Sequence, residues 1–460
     1  MTSDIPAKQV KQQKRNESGR KFDSQSDSDK SKPGLAARVA AVKIISAVLE
    51  KKTSLDGMLD GENGNPAYRA LSLPDRALVR AIVNTALRHL PRVEAALASL
   101  LDGPLPQGAK SLQHVMIVGA TQMLYLDVPD HSAVDLAVEQ AHRDPRNRRF
   151  VKLVNAVLRR LGREKESVLE AVNTIPVLPS WFYSRLTHVY GEATARHISD
   201  AQLIPSVIDV TVKSDPDLWA QRLGGTVMPN GSVRLDAFEG SVSALPGFDD
   251  GEWWVQDFSA SMPVRLMGDL SGKRVADLCA APGGKTAQLI MAGADVTALD
   301  QSGNRLKRLR ENLDRLKLKA ETVEVNMLKF QPDELFDAVL LDAPCSSTGT
   351  LRKHPDVCWT KGLSDIAKLA ALQENMLRHA ITLVKPGGIV AFSNCSLDPS
   401  EGEEMVARVL GSDPALERVP LSSDAFADMA CSIDAQGDMR TTPDMFGGVD
   451  GFYACVLRRK

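Results

Sequence analysis

The most constraining feature of the sequence is a regular alternation, after Gly272, of short apolar segments with amphipathic segments of helical period. Because each predicted strand is followed by a helix, consecutive strands should run in the same direction, with helices covering both faces of the sheet. The pattern predicts a mostly parallel, doubly wound sheet that binds ligands at the carboxyl ends of its strands. The predicted strands are 274–278, 295–299, 322–325 and 338–341, and the predicted helices are 284–292 and 303–317.

The first strand of this series is followed by a loop of small residues and glycines. The strand ends near Asp277, and the next helix begins near Gly284. Glycines let the backbone approach a ligand closely, and the free N–H groups at a helix start can face it. Asp300 ends the second strand, where a carboxylate can accept hydrogen bonds from both hydroxyls of a ribose. These features favour a nucleoside cofactor, either a dinucleotide or S-adenosylmethionine.

Two cysteines follow neighbouring strands of the predicted sheet. The fourth strand ends in Asp342-Ala343-Pro344-Cys345, and the fifth ends in Asn394-Cys395-Ser396. The carboxyl ends of adjacent parallel strands meet at one crevice, so both thiols should face the same ligand. A lone buried cysteine is usually an inert apolar side chain, but packing alone gives little reason for two at equivalent strand ends. The sequence therefore predicts a ligand site that carries two thiols.

Together these motifs resemble the signature motifs of the RNA cytosine-5 methyltransferases of the Nol1/Nop2/Sun group. The matching segments are 277–285, 342–345 and 394–396, and the likeness extends from about residue 35 to the C-terminus. It includes 440–443 and 447–452 near the end of the chain. Within the group, the bacterial small-subunit ribosomal RNA enzymes are the closest match, and their helical N-terminal domain resembles the antitermination factor NusB.

The resemblance implies that S-adenosylmethionine is the cofactor, and it assigns residues to its site. Asp300 would hold the ribose, Arg305 would contact the cofactor, and Asp342 would lie beside both cofactor and target base. Asn326 stands where the family usually has an acid near the adenine, and an amide can still form a hydrogen bond there. The loop that would line the cofactor consists of Cys279, Ala280, Ala281, Pro282, Gly283, Gly284 and Lys285.

The resemblance also implies covalent catalysis on a cytosine. Cys395 would attack carbon 6 as the nucleophile, although the family commonly has Thr where Asn394 precedes it. A thiolate on carbon 6 makes carbon 5 enamine-like and able to accept a methyl group. Cys345 would help remove the carbon-5 proton and release the enzyme, and Asp342 would hydrogen-bond the base and stabilise the adduct. The target base must be unstacked, so single-stranded or looped RNA is the expected substrate.

The first third of the chain has a different texture. Apolar residues recur with helical period from Leu35 to about Asn173, which predicts an all-α bundle. Residues 143–165 contain nine Lys or Arg, a density suited to RNA phosphates and also to a solvated surface. Residues 206–257 then change to short β-like runs broken by Gly and Pro, which predicts a small α+β module.

We therefore predict a multidomain protein: an all-α, NusB-like N-terminal bundle, a small α+β linker module and an α/β, Rossmann-like methyltransferase domain. The first residues are rich in Lys, Gln, Ser and Asp and bury too little apolar surface to offset chain entropy. The predicted boundaries are 1–33 for a disordered tail, 34–173 for the NusB-like RNA-binding domain, 174–262 for the helical linker and α+β module, and 263–460 for the catalytic domain.

Composition restricts location and partners. The formal net charge is −2, so a basic surface that binds RNA has to be local. The six cysteines form no C-x-x-C pair, which predicts reduced thiols and no metal site. Charged residues throughout 8–32 leave no apolar signal core, and no stretch has about 18 apolar residues in a row. We expect a cytoplasmic monomer whose partner is RNA, without a membrane or a metal.

Two sets of cations have alternative interpretations. Lys285 could pack at the start of its helix beside the cofactor, or it could contact the catalytic pocket. Arg352, Lys353 and His354 follow the Cys345 loop and are suited to RNA phosphates, although a solvated loop would have the same composition.

Three other functions compete with methylation of ribosomal RNA. A transfer-RNA cytosine-5 methyltransferase would use the same core, and only the NusB-like domain favours ribosomal RNA. An RNA-binding or antitermination factor with a vestigial catalytic domain is disfavoured by intact Asp342, Cys345 and Cys395. A small-molecule methyltransferase is disfavoured by the basic helical domain and by the two thiols.

Overall fold

A computed structural model of the chain describes residues 32–106, 108–236, 238, 240–421 and 426–460. Of the tail predicted at 1–33, only Lys32 and Pro33 belong to these residues, and the rest of that prediction lies outside them. Lys32 joins the helical domain, because its Nζ donates to Asp135 Oδ1 over 2.7 Å.

Within the described residues, the N-terminal domain packs nine α-helices around one apolar core. They are α1 Leu35–Lys51, α2 Leu55–Met58, α3 Pro66–Arg69, α4 Leu73–Arg88, α5 Leu90–Ser99, α6 Lys110–Tyr125, α7 Asp130–Arg143, α8 Val151–Arg163 and α9 Lys165–Val172. Helix α4 begins where Ser72 Oγ accepts the N–H of Asp75 and Pro74 occupies the first turn. Helix α6 is the centre of the bundle, since nearly all its residues from Leu112 to Leu124 are buried.

Helix α8 shows how the basic surface forms. Val154, Val157 and Leu161 are buried on one side of the helix, whereas Lys152 and Arg159 are exposed on the other. The apolar stripe fixes the orientation of the helix, so the cations of this segment are directed away from the core.

The next segment, α10 Ser180–Ala201, is the helical part of the predicted linker. The backbone leaves helical geometry at Gly191, with φ 81° and ψ 161°. Glycine permits this positive φ, so the two halves meet at a kink.

The α+β module is a four-stranded antiparallel sheet in the order β2-β3-β1-β4. Its elements are β1 Ile208–Val212, α11 Pro216–Leu223, β2 Gly225–Val227, β3 Val233–Leu235 and β4 Trp253–Val255. Buried Asp209 accepts two hydrogen bonds from the Arg234 guanidinium, at 2.7 and 2.9 Å, and one from the N–H of Phe258 at 3.1 Å. This carboxylate therefore links the module to the start of the catalytic domain.

The catalytic domain contains the predicted doubly wound sheet. Its elements are α12 Met262–Arg265, β5 Arg274–Asp277, α13 Gly284–Met291, β6 Asp295–Asp300, α14 Gly303–Arg315, β7 Glu321–Glu324, β8 Phe336–Asp342, α15 Val357–Thr360, α16 Leu363–Thr382, β9 Val384–Asn394, α17 Glu403–Ser412, β10 Leu416–Arg418, β11 Met439–Thr441 and β12 Phe452–Arg459. The order is β10-β12-β9-β8-β5-β6-β7, with β11 paired to β12. Strands β5 to β9 are parallel, as predicted, and β12 joins antiparallel to β9.

The register of β8 and β9 decides what lies at the edge of the sheet. Asp342 on β8 pairs with Ser393 on β9. The loops that carry Cys345 and Cys395 therefore leave adjacent strands at the same level. None of the helices among the described residues is long and apolar enough to span a bilayer.

The loop after Cys345 packs against the N-terminal domain. Trp359 lies against the core of the helical bundle, and its Nε1 donates to the carbonyl of Leu87 over 3.0 Å. Lys52 Nζ donates to the carbonyl of Trp359 over 2.6 Å, and the N–H of Leu55 donates to Asp356 Oδ2 over 2.9 Å. The helical domain thus holds the loop that leads away from the predicted catalytic thiol.

Arg352 and Lys353 of this loop point into the protein, so their interpretation as phosphate contacts is wrong, whereas the His354 side chain is 41% exposed. Arg352 is 4% exposed and donates to the carbonyl of Pro205 over 2.7 Å. Lys353 Nζ lies 2.6 Å from Asp257 Oδ2 and 2.9 Å from Asp450 Oδ2. His354 forms an ion pair with Asp56 of the helical domain, with 3.2 Å between Nδ1 and Oδ2.

Replacing Trp359 tests this contact between domains. Trp359→Ala should lower the free energy of unfolding by about 1–3 kcal/mol, because the buried carbonyl of Leu87 loses its donor and the bundle core loses an aromatic neighbour. Urea unfolding followed by circular dichroism measures the change. Trp359→Phe keeps much of the packing without the N–H, so its effect should be smaller. An alanine variant as stable as the wild type would show that the contact does not support the fold.

Candidate active site

The carboxyl edge of the sheet opens into one continuous cavity of about 320 Å³. Residues from the ends of β5, β6, β8 and β9 line it together, as expected at this edge of a parallel sheet. The lining residues are Leu278, Cys279, Ala281, Asp300, Gln301, Arg305, Asn326, Met327, Leu328, Asp342, Ala343, Pro344, Cys345, Ser347, Leu372, Met376 and Cys395. Cys345 and Cys395 therefore share a single cavity with six of the predicted cofactor residues, which are Cys279, Ala281, Asp300, Arg305, Asn326 and Asp342.

Only two residues of the glycine-containing loop 279–285 line the cavity, and the others lie behind its wall. Of its predicted residues, Cys279 and Ala281 are at the wall, while Ala280 is buried and Lys285 extends towards β8. The carbonyl of Pro282 accepts a hydrogen bond from Asn312 Nδ2 over 2.9 Å. Gly284 is the first residue of α13.

Gly283 makes the turn into that helix possible. Its φ is +103°, and a Cβ at this position would stand 3.0 Å from Leu309 Cγ. Only glycine takes this conformation without strain so close to a packed side chain. Thr286 Oγ1, in the first turn of the helix, donates to Asp277 Oδ2 over 2.8 Å and so joins the helix to β5. Burial raises the pKa of Asp277 to about 7.

Asp300 lies at the end of β6 and is 2% exposed. Its Oδ1 accepts the N–H of Ser302 over 3.0 Å, and its Oδ2 lies 2.9 Å from Arg305 Nη1. Arg305 Nη2 also donates to the carbonyl of Ala281 over 2.5 Å, which ties Asp300 to the glycine-containing loop. The carboxylate is thus fixed in the cavity wall, beside an arginine whose side chain is more than half exposed.

Asn326 lies in the turn that follows β7. Its Oδ1 accepts the N–H of Leu328 over 3.0 Å and caps a 3₁₀ turn at Met327–Lys329. The side-chain oxygen of Asn326 is therefore hydrogen-bonded within the local turn, and its Nδ2 group is the part that can contact a base. The cavity wall beside it is apolar, with Met327 and Leu328. A carboxylate at the end of β6, with an amide and apolar side chains after the neighbouring strand β7, fits the ribose and base of a nucleoside.

Asp342 is held by two donors at the end of β8. Lys285 Nζ donates to its Oδ2 and Ser393 Oγ donates to its Oδ1, each over 2.8 Å. Lys285 also lies 5.2 Å from the centre of the Phe452 ring. Of the two interpretations of Lys285, the structure supports contact with the catalytic pocket. The Asp342 side chain is 32% exposed, so the carboxylate can still meet a ligand in the cavity.

The two thiols are in contact. Cys345 Sγ and Cys395 Sγ are 3.4 Å apart, and Cys345 Sγ is 3.9 Å from Ser347 Oγ. A hydrogen bond donated by Cys345 lowers the pKa of the Cys395 thiol, and the same bond raises the pKa of Cys345. Within the pair, Cys395 is therefore the thiol that ionises more readily, and Cys345 is the one that keeps its proton more readily. A thiolate is the nucleophilic form of cysteine.

A second close backbone approach holds the Cys345 loop. The N–H of Gly349 donates to the carbonyl of Cys395 over 2.8 Å, and the N–H of Gly451 donates to the carbonyl of Gly349 over 2.9 Å. A Cβ on Gly349 would lie only 1.9 Å from the Gly451 carbonyl oxygen. The C-terminal segment 447–452 therefore packs on the loops of both cysteines.

Sequence reasoning missed several residues around the site. Ser393 and Glu401 are buried polar residues behind the cavity, and Asp257 and Asp450 bind Lys353. The available signal was the repetition of Cys-Ser in both thiol motifs, at 345–346 and 395–396. Within the described residues, no group of three His, Cys, Asp or Glu side chains is arranged to hold a metal ion.

Comparison with known proteins identifies two family models in the chain. Residues 267–458 match the model described as 16S rRNA methyltransferase RsmB/F, and residues 35–163 match the NusB family. The first contains the cavity and both thiols, and the second contains most of the helical bundle.

Relatives and solved structures agree with these matches. Ribosomal RNA small subunit methyltransferase B of Vibrio vulnificus is 34% identical over 439 residues, which cover 91% of this chain and 98% of the relative. The Serratia proteamaculans protein of the same name is 36% identical over 391 residues, covering 81% and 89%.

Among solved structures, the crystal structure of PH0851 superimposes with a TM-score of 0.68 at 21% identity, covering 94% of this chain and all of that one. A methyltransferase homolog from Pyrococcus horikoshii has a TM-score of 0.52 at 27% identity and covers 61% of this chain and 94% of its own. The extent and identity of the sequence matches place the assignment beyond a shared fold: the chain belongs to the ribosomal RNA small subunit methyltransferase B family.

Proposed function

We propose that this chain transfers a methyl group to carbon 5 of a cytosine in 16S ribosomal RNA, through a covalent bond between Cys395 Sγ and carbon 6. As a member of its family, the chain is an S-adenosylmethionine-dependent methyltransferase of ribosomal RNA. The observation that carries the proposal is the pair of thiols, whose sulfur atoms are 3.4 Å apart. They line the same cavity as Asp300, the carboxylate proposed to accept hydrogen bonds from the ribose. A cytoplasmic location and a monomeric state remain predictions that belong to the same proposal.

The chemistry explains why a thiol is needed. Carbon 5 of cytosine is a poor nucleophile, so the ring must first gain electrons. When S-adenosylmethionine is bound, it supplies an electrophilic methyl group on a sulfonium. Addition of the Cys395 thiolate to carbon 6 would make carbon 5 able to accept this methyl group, and the sulfonium sulfur would leave as a neutral thioether. Loss of the carbon-5 proton and of the Cys395 sulfur restores the double bond between carbons 5 and 6.

Cys345 is placed to take part in the release step. Its pKa is raised because it donates to Cys395, is buried and lies beside the charge on Cys395. When Cys395 bonds to carbon 6, that charge and its hydrogen bond disappear, so two of the causes that raise the pKa of Cys345 are removed, whereas burial and the nearby charge of Glu401 remain. The Cys345 thiol then ionises more readily and can accept the carbon-5 proton. The pair thus changes roles during one turnover.

Asp342 would orient the base. Lys285 and Ser393 hold its two oxygens, while about a third of its side chain remains accessible from the cavity. A fixed carboxylate can accept hydrogen bonds from the exocyclic amino group of cytosine and from a protonated N3 in the adduct. Because Lys285 and Ser393 already hold the Asp342 carboxylate in place, it does not have to reorient during the reaction.

The helical domain would supply RNA affinity. A groove of about 1150 Å³ in this domain is lined by five cations, Lys43, Lys51, Lys110, Arg146 and Arg149, with Glu50 among them. All five cations are exposed, and Arg149 also stacks on the Phe150 ring, 4.7 Å from its centre. Phosphates can bind such cations without base specificity.

The two cysteines should give opposite results when replaced. Cys395→Ala should abolish both methylation and any covalent RNA adduct, because no thiol is left to attack carbon 6. Cys345→Ala should accumulate the adduct, since attack remains possible while release stalls. A denaturing gel of each variant with target RNA and S-adenosylmethionine shows the adduct as a slow, nuclease-sensitive band.

The buried Cys358→Ala variant is the matched control for removal of a thiol. An adduct with Cys395→Ala and none with Cys345→Ala would reverse the two roles. If both variants methylated RNA at the wild-type rate, covalent catalysis by these thiols would be excluded.

Asp300→Ala should weaken S-adenosylmethionine binding by about 1.5–3 kcal/mol, the usual contribution of hydrogen bonds to a charged group. The ribose loses its acceptor, and Arg305 loses its partner. Isothermal titration calorimetry measures the affinity. Asp295→Ala, at the exposed start of the same strand, is the control and should bind normally. Equal affinity in folded Asp300→Ala and wild-type protein would remove Asp300 from the site.

Charge reversal in the groove tests the RNA-binding role without deleting a domain that supports the catalytic loop. Lys110→Glu combined with Arg149→Glu should weaken RNA binding and reduce its salt dependence by about one unit of log–log slope for each phosphate that is no longer bound. Filter binding at several salt concentrations measures both. A Lys307→Glu, Lys319→Glu protein has the same charge change outside this domain. If both double variants bound RNA with the same slope, the groove would not be the contact surface.

A further inference from the structure

Each catalytic cysteine is followed by a serine, and the two serines share one acceptor. Ser346 Oγ and Ser396 Oγ both donate to Glu401 Oε2, over 2.5 and 2.6 Å. The N–H of Ser346 donates to the other oxygen, Oε1, over 2.9 Å. Both serines and Glu401 are fully buried. One carboxylate therefore joins the turn after Cys345 to the turn after Cys395.

Glu401 is itself fixed by two other parts of the domain. Gln373 Nε2 on α16 donates to its Oε1 over 3.0 Å, and Asn394 Nδ2 donates to its backbone carbonyl over 2.7 Å. Asn394 Oδ1 in turn accepts the N–H of Ser396 over 2.9 Å. The residue that replaces the family's usual Thr before the nucleophile thus takes part in the same network.

The Glu401 network connects the two cysteine turns beyond the ends of β8 and β9, where the hydrogen bonds of the sheet have ended. Strands β8 and β9 end at Asp342 and Asn394, so the cysteines stand beyond their ladder of regular hydrogen bonds. Neighbouring strands are about 4.8 Å apart, whereas the two sulfur atoms are in contact at 3.4 Å. A shared acceptor one residue after each thiol draws the turns together at this position. Glu401 does not line the cavity, so it cannot act by touching the cofactor or the base.

We propose that Glu401 is a positioning residue that holds the Cys345 and Cys395 turns at the spacing at which one thiol donates a hydrogen bond to the other. The proposal deepens the covalent mechanism and rests on it for its effect on turnover. Its effect on the thiols does not depend on RNA. This separation allows the two ideas to be tested independently.

The charged groups around Cys395 set the reference for such a test. Cys345 faces it directly, Asp342 and Asp450 lie near enough to oppose its ionisation, and Lys285 is paired with Asp342. Burial raises the pKa of Glu401, while the hydrogen bonds donated to it act in the opposite direction. Replacement of Glu401 by an amide keeps its shape and removes the charge on which the two serine hydroxyls converge.

The experiment measures Cys395 alkylation by iodoacetamide against pH in the full-length protein, with the labelled peptide quantified by mass spectrometry. Glu401→Gln should move the midpoint of this profile to higher pH, towards that of Cys345→Ala, because Cys345 no longer donates its hydrogen bond to Cys395. It should also lower kcat at least tenfold with an S-adenosylmethionine KM within twofold of the wild type. Glu404→Gln, on the exposed side of α17, should change neither.

An unchanged midpoint in folded Glu401→Gln protein would overturn the proposal. If that variant does not fold, Ser346→Ala and Ser396→Ala decide the question, since each removes one arm and should shift the midpoint in the same direction by a smaller amount. Unshifted serine variants would equally overturn it. A shifted midpoint in a protein whose Cys345→Ala form traps no RNA would support the positioning role and reject the proposed release role of Cys345. Trapped RNA with no shift would do the reverse.

Discussion

The parallel pairing of β8 with β9 is the contact on which the catalytic centre depends. Its register puts Asp342 beside Ser393, and the thiol loops leave the sheet at the same level. A shift of one residue would turn every side chain of one strand to the opposite face and separate the carboxylate from its serine donor. The cavity then follows from the fold, because neighbouring strands of a doubly wound sheet all end at one edge.

Charged groups with several partners each are concentrated around this cavity. Glu401 receives the two serine hydroxyls, Asp342 is bound by a lysine and a serine, and Lys353 lies between two aspartates. Removing one member of such a set leaves the others buried without partners, which costs more than the exposed ion pairs of the helical surface. The reactive thiols are therefore held by a polar framework that has few alternative arrangements.

The helical domain and the catalytic domain form a connected structure around the Cys345 loop. Trp359 packs into the helical core, Asp356 caps the backbone at Leu55, and Lys353 joins the loop to Asp257 and Asp450. RNA bound along the basic groove of the first domain would thus be attached to the same body that holds Cys345. Arg352 and Lys353, which follow Cys345 in the chain, belong to the internal contacts of this body.

The sequence by itself determined the elements and the residues at their ends. Helical and strand periods, the glycine-containing loop and the two cysteines after neighbouring strands are local patterns, and they were enough to predict the doubly wound sheet and to select Asp300, Cys345 and Cys395. The family resemblance of the motifs added the role of Asp342. Only the tertiary structure decided which distant groups meet. Lys285 binds Asp342, which lies 57 positions further along the chain, and Ser346 binds Glu401 across 55 positions. Lys353 binds Asp450 across 97 positions. Local periodicity carries no information about such pairs, because they are set by how the strands and loops pack in space.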